Sequence, residues 1–414
     1  MIKLSFLLII IVATISSSVW SIEHSFKGIV DVRAYHVDNN SDAKSYLAGD
    51  YGKYRYDAGS GFALGQLGIQ YHLSLNNHWS VNVIGNAFAN KGNNNIGFTE
   101  GYIRYKGVPS ANGWRMSSKI GVFYPSISLE NVSTAWSTSY TLTTSSLNNW
   151  IGEELRNTGV SLKIDKLGKM TKSPHTLSAE ISLFQNNDPA GAMLAWHGWT
   201  IGSRQTLLQE KLIVQNFPAR EGMLAAQAPK SDPFMELDNR WGGHLSATWR
   251  YENTFKLNAG YYDNRAEEGL VEDGQYTWTT SFSHLGLKYK IAPQLELIGQ
   301  YMQGNTYMTS PFGLRVVDND FDNAFLMLRK GWDNSHIALR VEHFNVDDLD
   351  ELIGDNNNES GNGVSLAYRY KLARQSYIMA EYNWLNSDRP SRYYEHHPVE
   401  LIERQYQIAY RYYF

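Results

Sequence analysis

The stretch from Leu401 to Phe414, LIERQYQIAYRYYF, constrains the fold of this chain more than any other. Counting back in twos from Phe414 gives Tyr412, Tyr410, Ile408 and Tyr406, whereas the other parity carries Tyr413, Arg411, Ala409, Gln407, Gln405 and Glu403. Successive side chains of a strand point to opposite faces of its sheet, so this stretch has an aromatic, apolar face and a mostly polar one. A strand set between lipid and water needs that division, and an amphipathic edge strand of a sandwich also uses it.

The start of the chain favours the first of these. Lys3, an apolar core from Leu4 to Ala13 and small residues before Ser21 read as an export signal over residues 1–21, leaving 22–414 as the mature protein. No later run has the roughly 18 apolar residues that a spanning helix needs, so a membrane form must be a closed barrel. Ending on Phe414 resembles the C-terminal strand signal of Gram-negative outer-membrane barrels, which implies recognition of Phe414 by the barrel assembly machinery. Composition agrees with a barrel. Mean hydropathy is only -0.40, yet the chain carries 27 Tyr and 12 Trp. Lipid-facing residues at every second position leave the mean low, and the aromatics suit interfacial girdles. With no Cys, disulfides and thiolate metal sites are excluded, and a net charge of -4 indicates no nucleic-acid partner.

Alternation recurs along the whole chain. It begins with Phe26, Gly28, Val30 and Val32 against Lys27, Asp31 and Arg33, with no plug domain expected before it. An all-β transmembrane antiparallel barrel of sixteen strands is expected, with short inner turns and long outer loops; an extra pair within Asn186 to Arg240, making eighteen, is the competing count. Within that long connection, Ser203 to Gln215 has a capping-type Ser and leucines at 207, 208 and 212, so a short helix is expected there. Proline cannot donate to a ladder, and all 11 prolines fall in connections or at a strand end.

After the fifth strand, Gly121, Phe123, Pro125, Leu129 and Glu130 form a passage that is similar to the phosphate-selective porin O/P family. The resemblance implies a channel whose third outer loop folds into the lumen as a constriction, here carrying Glu130, Trp136, Tyr140, Trp150, Glu153 and Glu154. This chain departs from the family's basic constriction, because Ser126 to Gly152 contains no Lys or Arg. Its hydroxyls and aromatic faces suit neutral, hydroxylated solutes better than a desolvated anion, unless the aromatics only pin the loop to the wall.

Splitting charges by parity gives a basic inner wall. Lys27, Arg33, Arg104, Arg115, Lys119, Lys163, Arg250, Lys288, Arg329, Arg340 and Arg369 are expected to line the pore, outnumbering inward acids such as Asp31, Glu180 and Glu296. A pore lined by one sign of charge attracts the other, so passive passage of small hydrophilic solutes with a mild anion preference is the expected function. Gln300, on an inward parity, is expected to tolerate Arg. No cofactor and no metal are expected. Asp318, Asp320 and Asp322 begin like a calcium loop, but Asn323 and Arg329 stand where Gly and Glu belong. The acidic run Asp347 to Glu359 reads as a solvated outer surface open to divalent-bridged lipopolysaccharide. No Gly-x-Ser-x-Gly element is present. A barrel enzyme acting on lipid and a surface binding barrel remain the alternatives, the latter signalled by a collapsed pore, and a homotrimer stays open.

Overall fold

The structure, a computed structural model, describes residues 22–90 and 93–414, so the leader expected at residues 1–21 lies outside it. Sixteen antiparallel strands close into one barrel. They are β1 Glu23–Asn39, β2 Gly59–Ser74, β3 Trp79–Asn90, β4 Asn93–Lys106, β5 Trp114–Phe123, β6 Asn157–Lys166, β7 His175–Gln185 and β8 Gly242–Tyr251. The second half comprises β9 Phe255–Asp263, β10 Trp278–Ala292, β11 Leu295–Thr309, β12 Arg315–Gly331, β13 Ser335–Asp348, β14 Glu359–Ala373, β15 Ser376–Asp388 and β16 Glu400–Tyr413. The barrel closes where β16 pairs with β1 from Tyr413 opposite Ile29 to Glu403 opposite Asn39. Phe414 continues this seam, its N–H donating to the Gly28 carbonyl at 3.1 Å and its own carbonyl accepting from Gly28 N–H at 2.9 Å. Its ring lies where a Cβ at Gly28 would stand, which is why β1 carries glycine there.

The outward parity forms an apolar belt. Leu328, Leu339, Leu366 and Tyr382 stand in one cross-strand row over β12 to β15, all pointing away from the lumen. Near the short turns, Trp79 packs on Tyr105 and Trp249 on Phe255, with ring centroids 5.0 and 5.2 Å apart, as an interfacial girdle requires. Among the described residues no helix is long and apolar enough to cross a membrane.

Inner turns are short, such as residues 252–254 and 374–375, whereas outer loops 1, 3, 4, 7 and 8 span 40–58, 124–156, 186–241, 349–358 and 389–399. Loop 3 contains helix α1 (Ser146–Glu154), the turn after β6 contains α2 (Gly168–Thr171), and loop 4 contains α3 (Ala192–His197). The helix expected over Ser203 to Gln215 is absent: that segment is irregular and then pairs Leu212–Ile213 with Lys230–Ser231. Its leucines serve tertiary packing instead, Leu207 and Leu212 both being buried. The calcium-like Asp318, Asp320 and Asp322 are likewise strand residues of β12, which holds them extended and off any loop. Loop 7 departs from a solvated surface, since Asp355 is buried and Glu359 at its end pairs with Lys53 of loop 1 and with Arg389 of loop 8 at 3.6 Å.

Candidate functional site

The hydrophobic core of this barrel lies inside it, at the outer end. Inward residues near the outer strand ends, among them Tyr35, Phe184, Tyr262, Phe282, Phe321 and Phe344, pack with Leu147, Trp150 and Ile151 of α1 and with Leu194, Trp199 and Ile201 of loop 4. Trp150 meets Trp199, Phe282 and Phe321 edge to face at 5.8, 5.4 and 5.4 Å, a geometry that satisfies the ring quadrupoles. Its role is therefore to pin loop 3. Every residue of α1 is buried.

Loop 3 is held by carboxylates of the wall that accept its backbone N–H groups. Glu342 accepts from Ser146 N and Oγ, both at 2.7 Å, and Glu381 from Leu142 N and, at 3.0 Å, Thr143 N. Ser145 caps α1 and donates to Glu130 from N and Oγ, both at 2.9 Å. Arg340 ties these acids together: it lies 2.6 Å from Glu130 and 3.1 Å from Glu342, and it donates to the Thr143 and Thr144 carbonyls at 2.9 and 3.2 Å. All three side chains are fully buried, so the ion cluster offsets its desolvation only while complete. Gln300 belongs to the same anchorage, accepting from Leu129 N at 2.8 Å; it is buried under the loop, and the expected tolerance of Arg there is corrected.

Beside loop 3 a small cavity of about 10 Å³ is bounded by Arg33, Gln66, Trp136, Thr138, Gln205 and Arg411. That is room for about one water. Arg33 and Arg411 share Asp31 at 2.6 and 2.7 Å, and Arg411 also donates to the Thr138 carbonyl at 2.9 Å. Trp136 stacks on Tyr124 at 4.1 Å and Ala135 presents its carbonyl to Gln66 and Gln205 at 3.0 and 2.9 Å. These contacts hold Ala135 and Trp136 at φ of 53° and 56°, a left-handed conformation that bulky residues adopt only under such constraint.

Toward the inner end the wall is basic and wet. Arg250, Lys256 and Lys288 stand side by side across β8, β9 and β10, half-exposed to the lumen. Lys163 lies 3.8 Å from Glu180 and Lys288 3.2 Å from Glu296. Arg115 pairs with Asp165 at 2.7 Å, an inward acid the parity reading passed over. Lys119 lies over Tyr102 and Phe123, both at 5.3 Å. Arg329 covers Tyr140 at 5.0 Å, whose hydroxyl donates to Glu296 at 3.0 Å, and Arg369 donates to the Ser139 carbonyl at 2.8 Å. Lys27 and Arg104 are exposed near the inner rim. The sequence residues thus fall into two sets: Arg33 and Arg340 are sealed in ion clusters with loop 3 or its neighbours, and the others face the inner vestibule.

Glu153 and Glu154 end α1 and join loop 3 to loop 4. Glu154 accepts from Trp150 Nε1 at 2.6 Å and from Gly191, Met193 and Leu194 N at the start of α3. Burial pushes its carboxyl up to about 7. Glu153 lies 3.1 Å from His197 Nε2. The entry of loops 1 and 4 into the lumen, through Lys53, Arg55 and Arg204, is what sequence reasoning missed. A signal existed in Met193, Leu194, Trp196 and Trp199, too apolar a run for an exposed loop. One carboxylate group among the described residues, Asp188, Glu236 and Asp238, has ligand atoms within 4.8 Å of one another, and backbone N–H groups of Leu237, Asn186, Asn239 and Glu267 occupy its oxygens.

This architecture is the sixteen-strand fold of the Gram-negative outer-membrane porins. The anion-selective porin from Comamonas acidovorans superposes with a TM-score of 0.54 at 12% identity, covering 95% of this chain and 100% of that one. The outer membrane channel DcaP of Acinetobacter baumannii gives 0.51 at 10% identity over 95% and 97%. A loop L8 deletion mutant of OmpT from Vibrio cholerae gives 0.50 at 11% identity over 95% and 99%. At such identities the likeness is one of fold. No family model and no curated protein sequence matches the chain.

Proposed function

We propose that this protein is a Gram-negative outer-membrane channel, exported by the leader at residues 1–21, that passes small hydrophilic solutes and whose eyelet is shut in the conformation described. The observation that carries the reading is the contrast along the barrel: half-exposed cations, Arg250, Lys256 and Lys288, face the lumen toward its inner end, whereas residues of loops 1, 3 and 4 pack inside it toward its outer end. Displacing loop 3 would join the two ends. The row Arg250, Lys256 and Lys288 places like charges on neighbouring strands, an arrangement that costs energy unless anions or water share the lumen. A mild anion preference follows, strongest at low salt, because pore water screens charges over about 8–10 Å in ordinary salt. The porin O/P-like passage at Gly121 to Glu130 is consistent with loop 3 as the constriction, although phosphate selection is not part of this proposal, since Ser126 to Gly152 carries no Lys or Arg.

Partners follow from the surface. Asp320 pairs across to Asp347 on the outer ends of β12 and β13, with Asp322 following Asp320 on the same outward parity, a position suited to divalent-bridged lipopolysaccharide. Phe414 at the closing seam suits recognition by the barrel assembly machinery, and a homotrimer is the assembly we propose to look for. The reversal potential across a tenfold KCl gradient tests the ion preference: a mildly anion-selective value is expected, and clear cation selectivity would overturn it. A second reading, a surface binding barrel, is favoured by the filled outer lumen, and failure of any variant with a disrupted loop 3 to conduct would select it.

A further inference from the structure

An outer cavity of about 600 Å³ opens among loops 1, 3 and 4 above the eyelet. Its volume is that of a small-molecule site. Tyr35, Tyr46, Tyr56 and Glu153 contribute to its lining and are all nine-tenths or more buried. Tyr35 and Tyr56 stack in parallel, with centroids 4.1 Å apart and planes 7° apart, which makes a rigid aromatic wall. Glu153 has one oxygen, Oε1, engaged by His197; the other, Oε2, finds no hydrogen-bond partner among the described residues, nor does the Tyr56 hydroxyl. Buried polar atoms are rarely left so, and each such atom has a desolvation cost that a ligand can offset.

The charge of the cavity indicates what that ligand is. His197 Nδ1 faces the Gly198 carbonyl at 2.8 Å and Nε2 faces Glu153 at 3.1 Å. Both neighbours are acceptors, so both nitrogens must donate, or Glu153 must hold the proton. Either way the pair carries no net charge. Around it the lining acids Asp57 and Glu210 and the bases Arg55, Lys211 and Lys230 are mixed, with Glu210 held by Arg204 at 2.6 Å and Lys211 by Asp232 at 3.3 Å. No single sign of charge is collected. A neutral donor, not an ammonium or an anion, therefore suits the open Glu153 oxygen. Aromatic faces carry negative charge and attract the C–H edges of a ring that is apolar on one side and hydroxylated around its rim.

We propose that this cavity is a binding site for a small neutral saccharide, whose hydroxyl donates to Glu153 Oε2 while its ring packs against the tyrosine wall. The hydroxylated solutes expected at the Ser/Thr-rich part of loop 3 are thereby assigned to the outer end of α1 instead. The inference deepens the channel reading, on which it rests for its role in solute selection. Binding can be read without conductance.

Isothermal titration of the full chain in detergent, with maltose as probe, tests it. Saturable binding is expected, with choline chloride and sodium phosphate giving none. Glu153→Gln and Tyr56→Ala should each weaken maltose at least ~10-fold, as loss of a buried hydrogen bond or an aromatic contact does. Arg374→Gln in an inner turn should stay close to wild type. Heat-modifiable gel mobility checks that each variant is folded. Absence of saturable maltose binding, preference for either charged probe, or binding unchanged in both folded cavity variants would overturn the site. A protein that conducts without binding maltose refutes only this inference, whereas one that binds without conducting refutes only the channel.

Discussion

On β9, Tyr262 near the outer end is buried against Phe184 and Phe282, whereas Lys256, on the same inward parity nearer the inner end, is half-exposed. The contrast repeats on β10 with Phe282 and Lys288 and on β12 with Phe321 and Arg329. Facing the lumen thus means two different things. At the outer end the lumen is protein, because loops 1, 3 and 4 fill it, and inward residues are apolar or locked in ion clusters. Toward the inner end the inward cations are half-exposed, some paired with wall acids such as Asp165, Glu180 and Glu296 and others standing beside one another, as Arg250, Lys256 and Lys288 do. Side-chain parity separates lipid from lumen, and height along the strand then decides whether a lumen residue behaves as core or as pore.

The largest expected break in this contrast comes from Arg340. Arg340→Ala leaves Glu130 and Glu342 buried without their cation, which should cost about 3–5 kcal/mol in a denaturant titration of the lipid-folded barrel. Lys256→Ala, equally inward but wet, should stay within about 0.5 kcal/mol. Equal effects would abolish the distinction between the two ends. Next comes the outward parity: Leu339→Arg should cost roughly 2–4 kcal/mol if near the midplane, whereas Lys371→Ala, on the inward parity of β14 beside an inner turn, should be mild.

A smaller effect is expected from pH at the junction of loops 3 and 4. Burial raises the Glu154 carboxyl from 4.5 to about 7 and that of Asp188 from 3.8 to about 7. An acid whose folded value is raised binds its proton more tightly in the native state. Its contribution is therefore complete below the unfolded value and is lost as pH climbs from there toward 7. Protease nicking of loop 4 should be several-fold slower near pH ~5 than near pH ~7.5, and Glu154→Gln should flatten the profile. An unchanged profile in that variant would assign the dependence elsewhere. Deleting Phe414 removes two terminal hydrogen bonds of about 1 kcal/mol each at the seam that must close. Its effect should appear as a lower yield of folded barrel with export intact; wild-type yield would remove Phe414 from the assembly role.

The strands were legible because alternation is a local property: Leu339 and Arg340 declare their faces by adjacency alone. Strand count was legible too, since Ala192 to Ile201 does not alternate and forms α3 and its exit instead of a strand pair. What parity could not carry was the content of the lumen. Arg33, Arg340 and Gln300 read as pore residues, yet partners far along the chain, such as Glu130 and the Leu129 N–H, enclose them. Ser203 to Gln215 looked helical because its leucines recur at helical spacing, but their burial comes from separate elements packed around an irregular segment. Parity likewise could not show that Glu342 and Glu381 accept hydrogen bonds from the backbone of loop 3.

Single-channel recording in a planar bilayer tests the central claim, that a basic channel is shut by loop 3 held through Arg340. Wild-type protein should be closed most of the time, and Arg340→Ala should raise the open probability on the order of a hundredfold, the shift that losing a buried ion cluster implies. A wild-type conductance that is steadily open, and that Arg340→Ala leaves unchanged, would contradict the account.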